Sequence, residues 1–256
     1  MRTTIRISDG TMAFAAQSGD GAGSVRFERY SLNLGMSAAA NLRQAFGEHT
    51  LLQGHGEEVV VSMGGPVLMV PQEEYDEASV GQLFRHVFSG TERQAVHTAQ
   101  LDALGTVAAF GVDRDLCTVV GDNFSRVSYM PLMQPVWENF LRRSFMGSRR
   151  KLFAYLHEHT MDVVSYRQGK VRFSNQYQVR HAADAAFFLL SVWQQLGLDA
   201  QTDEIHLAGT VEMMIELAAE LRKFVANVND ITPTSRAVHM PAGLPFDLQI
   251  FFARHA

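Results

Sequence analysis

The chain opens on two short segments, residues 3–7 and 11–16, in which apolar and polar positions partly alternate, as in half-buried strands. Between them stands Ser8-Asp9-Gly10, and Asp-Gly favours a two-residue type I′ turn because glycine accepts positive φ, so a hairpin is predicted. A Gly/Ser-rich turn over residues 18–24 leads to Val25, Phe27 and Tyr30, which alternate with Arg26, Glu28 and Arg29 as a third strand. Ser37 is placed to cap a helix over residues 38–46, and the β-branched run Val59-Val60-Val61 predicts a buried central strand. The opening therefore reads βββαβ.

Val80, Leu83, Phe84, Val87 and Phe88 share one helical face, which predicts a helix covering a sheet. Residues 94–100 and 105–112 read as strands, and Asp113 is placed to cap a helix carrying Leu116, Val119 and Val120. Pro131 is expected in the first turn of a helix whose apolar face holds Met133, Val136, Trp137, Phe140 and Leu141. From Lys151 the opening pattern returns: strands over 152–156, 161–166 and 171–174, with a turn at Gln168-Gly169. A helix on Ala185, Phe188, Leu189, Val192 and Leu196 follows, with Gly197 as its C′ residue, and then a buried strand over 205–208. Thr210 is positioned to cap a helix with the stripe Met214, Leu217, Ala218, Leu221 and Val225, and Glu212 lies near the positive end of its dipole. Residues 232–256 fit either a short strand or a terminal helix. The expected fold class is α/β with mixed sheets. Two βββαβα domains are expected, residues 1–147 with extra βα units and residues 148–256.

Composition narrows the classes. With 256 residues and 46% hydrophobic content, the chain carries enough apolar side chains for two cores. A net charge of -5 supplies no general attraction for nucleic acid or anionic lipid, so no nucleic-acid partner is expected. Cys117 is the single cysteine, which excludes an intramolecular disulfide, and no paired Cys/His set suits zinc; a reducing, cytoplasmic compartment is expected. Arg2, Arg6, Ser8 and Asp9 interrupt the N-terminal apolar residues, so no secretion signal is expected there. The apolar stretch over 182–192 contains Asp184 and is shorter than the roughly 20 residues a bilayer requires, so no membrane span is expected. Asn123-Phe124-Ser125 fits a glycosylation pattern that has meaning only in a secreted chain.

Three segments of this twofold pattern carry a resemblance: Ile7-Ser8-Asp9-Gly10-Thr11 at the first hairpin, Lys170-Val171-Arg172-Phe173-Ser174-Asn175 on the third strand of the second repeat, and Ile205-His206-Leu207-Ala208-Gly209-Thr210 before the last strong helix. With βββαβα occurring twice, they resemble the ribonuclease-H-like fold as paired in the actin-like ATPases. Nearly the whole chain is similar to the actin-like scaffold proteins of pilus assembly and type II secretion. It is similar as well to a bacterial family known only as a domain of unknown function with that fold. In active members of the superfamily an Asp-x-Gly-Thr hairpin in each domain wraps phosphates through backbone N–H groups, while its carboxylates organise Mg²⁺ and the attacking water. The resemblance places Ser8, Asp9, Gly10 and Thr11 at the first hairpin, and Gly209 and Thr210 at a Gly-Gly turn that contacts adenosine.

The pattern is incomplete. Ser8 stands at the carboxylate position, and Asp9 would point to the other face of the strand end. The second hairpin reads Tyr155-Leu156-His157-Glu158-His159-Thr160, without the aspartate or the glycine, and the Gly-Gly turn survives only as Leu207-Ala208-Gly209-Thr210. A triphosphate needs Mg²⁺, basic groups and aligned N–H donors, because desolvating its charges uncompensated costs several kcal/mol. The expectation is a degenerate nucleotide cleft in a scaffold or interaction module with a protein partner, with no catalytic residue and no bound cofactor. The alternative is a Mg-ATP-binding ATPase or kinase-like enzyme in which Gly10 and Thr11 hold phosphate and Asp9, Glu158 or Asp162 replaces the lost carboxylates. A ribonuclease-H-type nuclease would need a third carboxylate beside Asp9 and Glu28.

Other chemistry-bearing residues read blandly. His157 and His159 would share a strand face, but without a third ligand or an HExxH spacing they are expected to be surface or strand-end histidines, and no metal is expected. Asp184, beside His181, answers a helix dipole, and His206 reads as a satisfied core histidine. Cys117 reads as a small buried hydrophobe with no base in view. Arg142, Arg143, Arg149, Arg150 and Lys151 form the densest positive region, read as a solvated linker face, with an acidic partner or a phosphate as the sharper alternative. Gly64-Gly65-Pro66 lacks a following Gly-Lys-Ser/Thr and reads as a turn, and Met213 and Met214 fit helix packing.

Overall fold

The computed structural model describes residues 2–17, 24–53, 58–232 and 239–254; the turn expected over 18–24 lies outside them except for Ser24. Strands β1 (Arg2–Ser8), β2 (Thr11–Gln17) and β3 (Val25–Ser31) are followed by α1 (Ala38–Glu48), the one-turn α2 (Thr50–Gln53) and β4 (Glu58–Met63). Then come β5 (Val67–Pro71), α3 (Glu77–Val87), β6 (Gln94–Leu101), β7 (Thr106–Asp113), α4 (Arg114–Asn123), β8 (Arg126–Pro131) and α5 (Gln134–Ser144). The remainder comprises β9 (Lys151–His157), β10 (Thr160–Arg167), β11 (Lys170–Gln178), α6 (Ala182–Gln195), β12 (Glu204–Gly209), α7 (Val211–Leu221), β13 (Asn227–Asp230) and α8 (Phe246–Arg254). No helix among the described residues is long and apolar enough to cross a membrane.

The chain divides into two compact units. The first contains Met1–Gln134, Ser235–Leu244 and Phe251–Ala256; the second contains Pro135–Thr234 and Pro245–Ile250. Each holds a five-stranded mixed sheet, β3-β2-β1-β4-β8 in the first and β11-β10-β9-β12-β13 in the second. In both, the first three strands pair antiparallel and the last two run parallel to the central one. The extra elements of the first unit form the three-stranded sheet β5-β7-β6 beneath α3.

Alternation dictates which side chains each sheet buries. In the first unit Ile5, Ile7, Met12, Phe14, Val59 and Val61 meet Leu42 and Ala45 of α1 and Leu116, Val119 and Val120 of α4. In the second, Leu152, Ala154, Leu156, Met161, Val163, Ile205 and Leu207 meet α6 and α7 through residues such as Leu189, Val192, Leu217 and Leu221. The opposite face of the second sheet is aromatic. Phe153 stacks on Phe140 of α5 with ring centroids 4.9 Å apart, and Tyr155 meets Phe246 of α8 at 5.5 Å. That packing is why α5, expected within a domain of residues 1–147, clusters with the second unit.

Several local expectations change. Pro131 ends the edge strand β8, where a missing N–H costs no ladder bond, and Pro135 instead sits in the first turn of α5. At the first hairpin only Gly10 has positive φ (67°), so the turn is not type I′; Gln168 and Gly169, both left-handed, make the turn that has that character. Of the α3 stripe, Val80 and Phe84 are buried, while Leu83 and Val87 stay about half exposed, because α3 contacts chiefly the middle strand β7. Thr210 occupies the N-cap position of α7 without a side-chain cap bond, whereas Ser37 and Asp113 accept from the N–H groups of Ala40 and of Asp115 and Leu116. Of the ambiguous tail, Phe246–Arg254 forms α8, a helix buried on nearly all sides from Phe246 to Phe252, and residues 233–238 and 255–256 lie outside the described residues.

One buried polar residue organises the entry to α1. Asn41, 1% exposed, donates to the carbonyls of Asn33, Met36 and Ser37 and accepts from Asn33 N–H at 2.8 Å. Replacing Asn41 by Ala leaves these buried groups unpaired, so a loss of about 2–3 kcal/mol is expected from urea-unfolding midpoints. Gln44→Ala on the exposed face of the same helix should change stability by under about 0.5 kcal/mol.

Candidate functional site

The first hairpin closes where Ser8 pairs with Thr11. Ser8 is buried, Asp9 and Gly10 are exposed, and Thr11 is half-buried. The turn after β4 packs onto this hairpin: Gly64 N–H donates to Ile7 O at 2.7 Å, and a Cβ on Gly64 would lie 3.0 Å from Ser8 Oγ. Gly64 is therefore a turn residue, and its missing side chain lets the backbone of β4 reach the hairpin. The β1 face that carries Ser8 is polar and buried, with Thr4, Arg6 and, from β4, Ser62.

The second unit builds the same hairpin from different side chains. His157 pairs with Thr160, so His157 holds the hairpin position of Ser8, Glu158 that of Asp9, and His159 that of Gly10. The left-handed residue is Glu158 (φ 47°), a conformation a β-carbon disfavours. His159 is exposed, whereas His157 ends β9 as a strand-end histidine but is buried, not at the surface, which removes the shared face supposed for the two rings. His157 Nδ1–H donates to Glu158 Oε2 at 2.7 Å and Nε2–H donates to Asp162 Oδ2 at 2.8 Å. Asp162 also accepts from Gln176 Nε2, and the imidazole stacks on Tyr155 with centroids 4.7 Å apart. Tyr155 in turn donates to Asp247 Oδ1 at 2.5 Å. Burial pushes the His157 pKa down, but the hydrogen bonds to Asp162 and Glu158 outweigh it and raise the pKa to about 9. At neutral pH this end of the hairpin thus holds an imidazolium between two carboxylates.

Gly209 and Thr210 lie beside that hairpin within the second unit. Thr210 N–H donates to Leu156 O at 3.0 Å, and Gly209 (φ 121°) pairs with Leu156 so closely that a Cβ would sit 1.9 Å from the same oxygen. Ser8, Asp9, Gly10 and Thr11 therefore form one cluster in the first unit, and Gly209 and Thr210 join the second hairpin in the other. Asp247 carries no local signal, and Asp162, which the sequence offers only as a replacement carboxylate, carries none for a histidine partner. Only the antiparallel register brings Asp162 diagonally across from His157, and only α8 brings Asp247 to Tyr155.

The remaining candidates resolve by contact. His206 lies 2.8 Å from Glu204 Oε2 and 5.3 Å from the Phe153 ring centroid, and burial lowers its pKa. His97 Nε2 lies 3.8 Å from Cys117 Sγ, so a base does adjoin the thiol; burial raises the thiol pKa and keeps it protonated. Asp184 stands in the first turn of α6, whose N-cap His181 makes no side-chain cap bond. The basic cluster is not one solvated face. Arg150 forks onto Asp203, Arg149 meets Glu204 at 3.4 Å, and buried Lys151 donates to the carbonyls of Met146 and Arg149. Arg142 is exposed, and Arg143 donates to Asn139 Oδ1.

Comparison with solved structures matches this architecture to the actin-like ATPase fold. A Bacteroides thetaiotaomicron protein of that fold and unknown function is similar at 24% identity, over 98% of this chain and 95% of that one, with a TM-score of 0.83. The structure of the PilM-PilN type IV pilus biogenesis complex is similar at 14% identity, over 99% and 98%, with a TM-score of 0.64. The cytoplasmic domain of EpsL, an inner membrane component of the Vibrio cholerae type II secretion system, aligns at 12% identity over 100% and 95% with a TM-score of 0.47. No curated protein matches the sequence. Residues 2–228 match the family described as protein of unknown function (DUF3822), and the chain belongs to that family.

Proposed function

We propose that this protein is a non-catalytic member of the actin-like fold, a cytoplasmic scaffold or interaction module that works through a protein partner. In this reading Ser8, Asp9, Gly10, Thr11, Gly209 and Thr210 are remnants of a nucleotide site. The observation that carries it is the His157 clamp. Glu158 and Asp162, two of the carboxylates that could replace a lost metal ligand, both accept from a buried imidazolium. Mg²⁺ would have to displace that proton or else sit beside a cation. In the first unit a buried hydroxyl, Ser8, stands where a carboxylate is needed, and Asp9 is turned to solvent. These residues do not fit Mg-ATP, and no reaction step is routed through it. Gly209 has a packing reason to be glycine that involves no ligand. The PilM relative, seen in a complex with PilN, supports the partner-binding half of the proposal.

Thermal-shift and calorimetric titration with Mg-ATP, Mg-ADP and Mg²⁺ alone tests the reading. No shift is expected, although a ligand at 100 times its Kd would add about 2.7 kcal/mol of stability. A saturable shift with Mg-ATP that is lost in Asp9→Asn would overturn the proposal in favour of the nucleotide-binding alternative.

A further inference from the structure

The second unit carries two exposed apolar patches ringed by charge of opposite sign. After α5, Phe145 and Met146 are 64% and 67% exposed. The Phe145 ring leans on the tip of the β10–β11 hairpin, its Cζ 3.5 Å from where a Cβ on Gly169 would stand. Arg142, Arg143 and Arg167 belong to the same two elements, and none has a carboxylate partner among the described residues. On α7, Val211 and Ile215 are 62% and 65% exposed and lie one turn apart on one face. Glu212 and Glu216 beside them are exposed and have no cationic partner among the described residues.

The strand register puts the patches at opposite ends of one sheet. β9 and β12 run parallel, with Lys151 opposite Glu204 at their starts and Leu156 opposite Gly209 at their ends. Lys151 Nζ donates to Met146 O at 2.7 Å, which ties the basic patch to the strand starts. Val211 begins α7 two residues after Gly209, so the acidic patch starts at the strand ends. Of the charges nearby, Arg149 and Arg150 are answered by Glu204 and Asp203, and Glu220 by Lys223. A single exposed apolar side chain is ordinary. Two pairs, one set among arginines without a carboxylate partner and the other among glutamates without a cationic one among the described residues, are complementary to each other.

We infer that a second copy of this chain docks its Val211 and Ile215 face, with Glu212 and Glu216, onto the Phe145 and Met146 patch, with Arg142, Arg143 and Arg167, of the first. Such a contact is head-to-tail, so each added copy leaves one patch of each kind unfilled and association does not stop at a symmetric pair. Small apolar centres with charged rims make the contact reversible and sensitive to salt. The inference goes beyond the scaffold reading, since it requires neither a nucleotide site nor a foreign partner.

Sedimentation velocity of the full chain over a concentration series tests it. The weight-average sedimentation coefficient should rise with concentration at low salt and fall back in about 1 M salt, where charges are screened within roughly 3 Å. R142E/R143E and E212K/E216K should each sediment as monomers, while an equimolar mixture of the two should associate again, because each then offers the charge the other lacks. F145S/M146S should abolish association in both settings. All of these positions except the half-buried Arg143 are exposed, and matching melting curves verify folding. A wild-type chain that stays monomeric throughout, association indifferent to charge reversal, or a mixture no larger than its components would each overturn the inference.

Discussion

Gly209→Ala is expected to leave little folded protein. The added Cβ would stand 1.9 Å from Leu156 O, 2.7 Å from its C and 2.8 Å from its N, all backbone atoms that no rotamer change can move aside. The residue also holds φ at 121°, where an L side chain is strained even in open space. Relief would require β12 to part from β9 at their shared end, inside the sheet that carries the core of the second unit. A loss of at least about 4 kcal/mol is expected, against a total stability of about 5–15 kcal/mol for an ordinary domain. Gly10→Ala is the control: its φ is also positive, but nothing lies within 4 Å of its Cβ position, so it should cost only about 1–2 kcal/mol. Urea unfolding followed by circular dichroism compares the two, and a Gly209→Ala protein within about 1 kcal/mol of wild type would contradict the packing argument.

His157→Ala should destabilise by about 3–5 kcal/mol at neutral pH, the range for removing one partner from a buried ionic cluster. Among the described residues, Asp162 would keep only the Gln176 amide as a hydrogen-bond donor. The effect has a pH signature. In the folded chain the His157 pKa is raised to about 9, above the ordinary histidine value of about 6.5 in the unfolded chain. The raised pKa means the folded state binds the proton more tightly, so the stabilisation is complete below about pH 6.5 and is lost as pH climbs through about 9. The decline is of the order of 3 kcal/mol. Urea midpoints at pH 6 and pH 9.5 should therefore diverge for wild type and converge for His157→Ala. Parallel profiles for the two proteins would mean that His157 is not held as an imidazolium.

The strand-and-helix plan was legible because its signals are local. Alternation over β1, β2 and β3, the Val59-Val60-Val61 run and the α6 and α7 stripes depend only on neighbours a few residues apart. So do the caps at Ser37 and Asp113 and the left-handed Gly197 after α6. The short strands β5, β8 and β13 are not predicted: the Val67-Leu68-Met69-Val70 run of β5 is an apolar signal too short to assign, and β8 and β13 show no clear alternation. All three lie at sheet edges, where one neighbour suffices and mixed sequences such as Arg-Val-Ser-Tyr-Met-Pro are tolerated.

By itself, then, the sequence determined the order of elements and the departure of both hairpins from a phosphate-binding pattern, since each follows from residue identity at fixed short spacing. Tertiary structure alone decided what those residues do. The register of β9 with β10 turned His157 from a strand-end histidine into a buried cation, and the proximity of β9 to β12 made Gly209 obligatory. Pairing with Asp203 and Glu204 left part of a basic run compensated and the rest, around Phe145, uncompensated. Burial and charge balance are properties of contacts between residues far apart in the chain, and no local pattern encodes them.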